Sequence, residues 1–123
     1  MLLRMGEAQI IKLIVGKHVI GELEEVFSRK YPNGLRTLAI LLDRCRVEVV
    51  PTSTPEILSH CLELVDFAGD AKVLAEAWGS GANCFVTLDK SHFILNKRLS
   101  EAPFKISTPG DCLAWLRQGW ILD

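Results

Sequence analysis

The feature that most restricts this chain is an alternation. Short apolar runs are set between segments with helical periodicity. The runs are Lys12-Leu13-Ile14-Val15-Gly16, Val47-Glu48-Val49-Val50, Asn83 to Leu88, and Phe104-Lys105-Ile106. Each is too short for a stable helix, and most carry β-branched residues, so each reads as a strand. Between them, apolar residues recur three and four apart, as Val19, Leu23, Val26 and Phe27 do over about Lys17–Arg29. Strands joined through helices pair in parallel, because a parallel neighbour is reached only by a crossover. The expected fold class is α/β with a central parallel sheet.

The punctuation agrees with that order. Residues 1 to about 11 read as the tail of a helix, and Pro32-Asn33-Gly34 breaks the next one. A very apolar helix comes next over about Leu35–Arg44, and Pro51 closes the second strand. Thr54-Pro55-Glu56 starts a helix to about Leu64, with Thr as cap and Pro at the first helical position. Asp66 to Gly69 reads as a loop. Asp70 opens a helix that ends at Gly79-Ser80-Gly81. Ser91–Leu95 reads as one helical turn, and Thr108-Pro109 starts a last helix carrying Leu113, Trp115 and Leu116.

Length and composition narrow the class. The 123 residues fit one domain, and 49% apolar content supports a packed core. A formal net charge of −1 gives no global electrostatic case for nucleic acid, though an acidic site can cancel basic residues elsewhere. Cys45, Cys61, Cys84 and Cys112 form no C-x-x-C pair, which argues against zinc; the last three sit in apolar segments and read as buried free thiols of a reducing cytoplasm. No signal peptide and no membrane-spanning run is evident in the sequence.

The topology makes the acidic residues informative. In a parallel sheet, a helix leading into a strand begins at the sheet's carboxyl edge, and that strand ends there. Asp70 begins such a helix and Asp89 ends the strand it leads into, so the two are expected side by side where α/β folds place ligands. Converging carboxylates repel, and a divalent cation is the usual reason to hold them together. Glu22 lies one turn into the helix after the first strand, about 60° from Val19, and can join them; Glu25 points away and reads as solvated. Asp70 also reads as a plain N-cap, and Asp89 as the Asp common where a strand turns. Thr87 shares a side of its strand with Asp89, as an orienting hydroxyl or an ordinary strand residue.

Other polar groups have plainer readings. Asp66 reads as a solvated loop acid. Lys90, Lys97 and Arg98 sit near the same edge, either as phosphate contacts or as solvated surface. His18 and His92 read as incidental. Gly79-Ser80-Gly81-Ala82 precedes a strand, the wrong context for a phosphate loop, and a Ser-His-Asp triad has no nucleophile elbow. Trp78 and Trp115 read as core, and Trp120 as an interface residue.

Three segments, taken in order, resemble a PIN domain: Val19-Ile20-Gly21-Glu22-Leu23-Glu24-Glu25-Val26, Gly69-Asp70-Ala71-Lys72-Val73-Leu74-Ala75-Glu76-Ala77, and Gly81-Ala82-Asn83-Cys84-Phe85-Val86-Thr87-Leu88-Asp89-Lys90. The ending Ile106-Ser107-Thr108-Pro109-Gly110-Asp111-Cys112-Leu113 resembles that family's last strand and helix. The resemblance implies a three-layer α/β/α fold and a Mg²⁺- or Mn²⁺-dependent endoribonuclease that hydrolyses single-stranded RNA. It also implies Glu22, Asp70 and Asp89 as metal ligands, with Thr87 in support. Many members are toxins of toxin–antitoxin pairs, so an antitoxin protein that inserts an Arg among the carboxylates is an implied partner.

The family opens with an apolar strand ending in an aspartate, whereas Met1-Leu2-Leu3-Arg4-Met5-Gly6-Glu7-Ala8 resembles the middle of the helix after it. The expectation is a single PIN-like domain over residues 1–123, N-terminally truncated, through a misassigned start codon or as a genuine short form. Weaker metal binding is expected as a result, and either a homo-oligomer in which a second chain fills the gap or a closing-up of the remaining strands. The alternative function is a catalytically impaired PIN-like module that binds a protein or RNA. A metal-dependent phosphatase of another α/β fold stands third, and it lacks an aspartate after its first strand.

Overall fold

The computed structural model describes the backbone of residues 1–122 and the side chains of residues 1–118. The chain divides into two compact units, Met1–Thr52 and Ser53–Asp123. Both are mixed α/β, and the strand pairing is parallel throughout the described residues.

The first unit runs α1 (Leu2–Glu7), β1 (Ile14–Gly16), α2 (Lys17–Lys30), α3 (Gly34–Arg44) and β2 (Glu48–Val50). β1 pairs with β2, Ile14 opposite Glu48 and Gly16 opposite Val50, and Lys12 forms an ion pair with Glu48. Met5, Cys45 and Val50 are its buried hydrophobics. The first helix ends at Glu7, earlier than its sequence pattern suggests. There Gln9 adopts a left-handed φ of 61°, its N–H donates to the Gly6 carbonyl, and that of Ile10 donates to Met5. This is a Schellman ending, made without the usual glycine. α3 ends the same way, with Arg46 at φ 55° and the Arg46 and Val47 amides donating to Asp43 and Leu42.

The second unit runs α4 (Pro55–Leu64), α5 (Ala68–Ser80), β3 (Cys84–Val86), a π-helical turn (Lys90–Ile94), a 3₁₀ turn (Lys97–Leu99), β4 (Lys105–Ser107) and α6 (Pro109–Leu122). β3 pairs with β4, Cys84 opposite Lys105 and Val86 opposite Ser107. The α4 start is as the sequence implies: Thr54 Oγ1 accepts from the Ile57 N–H at 3.3 Å, with Pro55 first in the helix. The core gathers Cys61, Val65, Ala71, Leu74, Ala75, Phe93, Leu99 and Phe104. Phe85 lies against both Phe93 and Phe104, at 5.1 and 5.7 Å between ring centroids.

Several boundaries differ from the sequence expectation. The strands are three residues long, and they pair as β1–β2 and β3–β4. α5 begins at Ala68, because Phe67 takes the extended N-cap conformation and its carbonyl accepts from Ala71. Trp78 packs edge-on to Phe104, 5.9 Å between centroids, as expected of a core residue. Trp115 is 39% exposed, against expectation. With Cys112 at 0° on α6, Leu113 and Leu116 fall at about 100° and 40°, and Trp115 at about −60°, beside the buried stripe. The Trp120 side chain lies outside the described residues. All four cysteines are free thiols; Cys45, Cys61 and Cys112 are buried and Cys84 is partly so. Among the described residues, no helix is long and apolar enough to cross a membrane.

Candidate functional site

Asp70 and Asp89 meet in the second unit, and the side chain between them is His92. Ligand atoms of the three lie within 4.8 Å of one another, and all three residues are partly buried. The imidazole Nδ1 lies 2.8 Å from Asp89 Oδ2 and 3.3 Å from Asp70 Oδ2.

Local structure explains the convergence. Asp70 is the third residue of α5, in the first turn, where a carboxylate is favoured by the free N–H groups and the helix dipole. It is not the cap, since Phe67 holds that position and no side chain caps α5. The simple N-cap reading of Asp70 is therefore corrected. Its Oδ2 is buried and receives no aligned hydrogen bond. The His92 nitrogen is the near group, but its closer approach is to Asp89.

Asp89 comes just after β3. The ladder extends one residue past the strand, through the Thr87 N–H to the Ser107 carbonyl at 2.9 Å. Thr87 Oγ1 then accepts from the Asp89 N–H at 3.0 Å, which sets where that residue emerges. Asp89 also caps the π-helical turn. Its Oδ1 accepts from the His92 N–H at 3.0 Å and more loosely from the Ser91 hydroxyl at 3.4 Å. One oxygen is thus committed to the turn, and the other faces His92 and Asp70. The backbone hydrogen bond from His92 is the largest cause holding the Asp89 carboxyl below the usual carboxylate range; the imidazole charge and the Ser91 hydroxyl add to it, and partial desolvation opposes it.

His92 is held from both sides. Phe93 next to it is buried in the core, which anchors the turn. Asn96 Nδ2 donates to the Leu64 carbonyl at 2.9 Å and to the His92 carbonyl at 3.2 Å. Phe67, 57% exposed, lies 5.0 Å from the imidazole, centroid to centroid. Sequence reasoning misses His92, reading it as incidental. Its signal is the three-residue spacing from Asp89: a turn capped by Asp89 carries the third residue back over the cap.

The other candidates occupy different settings. Glu22 is in α2 of the first unit, exposed, with Oε1 2.9 Å from His18 Nε2. Asp66, read as a solvated acid, accepts from Arg98 Nη2 at 2.8 Å. Lys90, Lys97 and Arg98 are exposed.

Two carboxylates and an imidazole suit a divalent cation. The fit rests on the buried Asp70 Oδ2, an acceptor with no aligned donor, facing a second carboxylate oxygen. Without a cation, the imidazole N–H offsets the repulsion between the two acids. No family model, curated protein or solved structure matches the chain.

Proposed function

We propose that this chain is a PIN-like, metal-dependent endoribonuclease that hydrolyses phosphodiesters of single-stranded RNA, and that it acts as the toxin of a toxin–antitoxin pair. The observation that carries the reading is the meeting of Asp70, from the first turn of α5, with Asp89, from the end of the strand that α5 leads into. Strand–helix order alone predicts that meeting. A three-layer PIN-like architecture belongs to the same proposal.

In this reading Asp70, Asp89 and His92 hold the cation. A bound divalent ion supplies a more acidic water and offsets charge on phosphate oxygens. Asp89 keeps its charge because the His92 backbone N–H, the largest cause of its lowered pKa, favours the ionised form. Thr87 positions Asp89 through its backbone N–H. Phe67, exposed beside His92, offers a face for an unpaired base. The nitrogen donor favours Mn²⁺ over Mg²⁺, which prefers an all-oxygen shell. Glu22, which the family resemblance adds as a ligand, is not required by this reading.

The test is cleavage of a labelled single-stranded RNA with Mn²⁺, with Mg²⁺ and with EDTA. Activity should need the metal and be higher with Mn²⁺. Asp70→Asn and Asp89→Asn should each lower it by at least about 100-fold, beyond the 10–100-fold typical of groups that only orient ligands. Unchanged cleavage in both variants would overturn the proposal.

One observation favours a second reading, a PIN-like binding module that does not cut. The imidazole N–H already lies between the carboxylates, so they are held together without a cation. That reading expects RNA or protein binding insensitive to EDTA and no cleavage with either metal.

A further inference from the structure

His92 also lines a pocket of about 300 Å³. It is lined by Asp66, His92, Leu95, Asn96, Lys97 and Arg98, with Ser91 at its edge. The volume is at the lower end for small-molecule sites, about 300–1,000 Å³, which is room for one nucleotide-sized group.

Its polar groups divide into structural and available ones. Asn96 is used up: its amide nitrogen bonds Leu64 and His92, and its oxygen accepts from the Arg98 N–H at 3.0 Å. Arg98 is oriented by Asp66 at 2.8 Å and by the Glu63 carbonyl at 3.5 Å, which leaves its charge partly compensated. Lys97 pairs with no carboxylate among the described residues. The pocket therefore carries a cationic excess, and it shares His92 with the Asp70–Asp89 pair, neither of which lines it. Leu95, a lining residue, is 71% exposed, an apolar surface with no protein neighbour to cover it.

We propose that this pocket binds one nucleotide of a single strand, its phosphate on Lys97 and Arg98 and its base over Leu95. The choice of nucleotide as ligand rests on the ribonuclease reading. A cationic corner beside an exposed aliphatic face matches a phosphate joined to a flat base, and His92 as common wall puts the next phosphate at Asp70 and Asp89. This subsite would set which nucleotide flanks the cut.

The test is a titration of ¹⁵N-labelled protein, in EDTA, with a nucleoside 5′-monophosphate, with the parent nucleoside and with inorganic phosphate. The nucleotide should shift amides over residues 91–98 at millimolar concentration and bind more tightly than either half. Lys97→Ala, at an exposed position, should weaken it by about two- to fivefold, the upper part of the range for an exposed charge pair. Leu95→Ser should remove the nucleotide's advantage over phosphate. No shifts at 91–98, phosphate binding as tightly as the nucleotide, or an unaffected Lys97→Ala variant would each overturn the proposal. Asp89→Asn keeps an acceptor for the turn, and it separates the two proposals. Nucleotide binding that survives in that variant supports the pocket whether or not the wild type cuts RNA. Metal-dependent cleavage without shifts at 91–98 would remove the pocket and leave the nuclease.

Discussion

Asp89 shows how one side chain does two jobs. Its Oδ1 closes the turn that carries His92, and its Oδ2 meets the imidazole that the turn delivers. Thr87 matters to both, because its hydroxyl accepts the Asp89 N–H. Thr87→Val keeps the β-branched shape and leaves that amide without its partner. Stability should fall by about 1 kcal/mol, read from the urea midpoint at unchanged slope. A variant as stable as the wild type would mean water replaces the hydroxyl at no cost. His92→Asn tests the nitrogen donor: Mn²⁺ binding, measured by calorimetry, should weaken by at least about 100-fold, beyond what loss of a merely orienting group costs, and Mg²⁺ binding much less. Equal loss of both would show that His92 acts through packing. At this scale the aspartates were legible, since each sits at a position the strand–helix order defines. His92 was not, because its role comes from a π-helical turn whose path depends on Phe93 being buried in the core.

α1, α3 and α5 each stop on a left-handed residue, a glycine in one case and a strained residue of another type in the other two. α5 ends on Gly81 at φ 75°, a left-handed cap visible in the Gly79-Ser80-Gly81 stretch. Nothing lies within 4 Å of where a Gly81 Cβ would be, so Gly81→Ala should lose about 1 kcal/mol through backbone conformation alone. α1 and α3 end in the same left-handed manner on Gln9 and Arg46, and there no glycine marks the stop. Strand pairing just beyond the helix dictates the α3 end instead. Val47 continues directly into β2, and the Glu48 N–H donates to the Leu13 carbonyl at 2.9 Å, so the chain must leave the helix within one residue. Arg46→Gly should therefore stabilise the protein by about 0.5–1 kcal/mol, seen as a higher thermal midpoint. A lower midpoint would mean that the Arg46 side chain contributes more than its backbone strain removes. Gly6 is the opposite case. A Cβ there would collide with the Leu13 side chain and stand 2.9 Å from the Cys45 carbonyl oxygen, which makes Gly6 a close-approach position that no local sequence pattern marks.

Across the whole molecule, the alternation of strands and helices was legible as α/β with parallel pairing, because a parallel neighbour needs a crossover and the intervening helices supply one. The pairing of strands within each unit was not, since it depends on which three-residue segments meet rather than on any residue type. The burial of Cys61 and Cys112 was legible from their apolar segments, whereas Cys84 is only partly buried and Cys45, outside any such segment, is buried. Cys61 and Cys112 give the molecule a pH dependence with a definite sign. Burial pushes Cys61 from 9.0 up to about 11, and burial, with the neighbouring Cys84 thiol, does the same to Cys112. The folded state therefore keeps protons that the unfolded chain gives up first. Where the unfolded state binds fewer protons, stability falls as pH rises. The contribution is whole below pH 9 and is lost between about 9 and 11. The thermal midpoint should decline over that window, and Cys61→Ala and Cys112→Ala should each flatten the decline while lowering the midpoint at pH 7 through lost packing. Lysine and tyrosine titrate in the same range, so the slope difference between variant and wild type is the quantity to read. Identical slopes would assign the alkaline loss to those surface groups and leave the buried thiols no share in it.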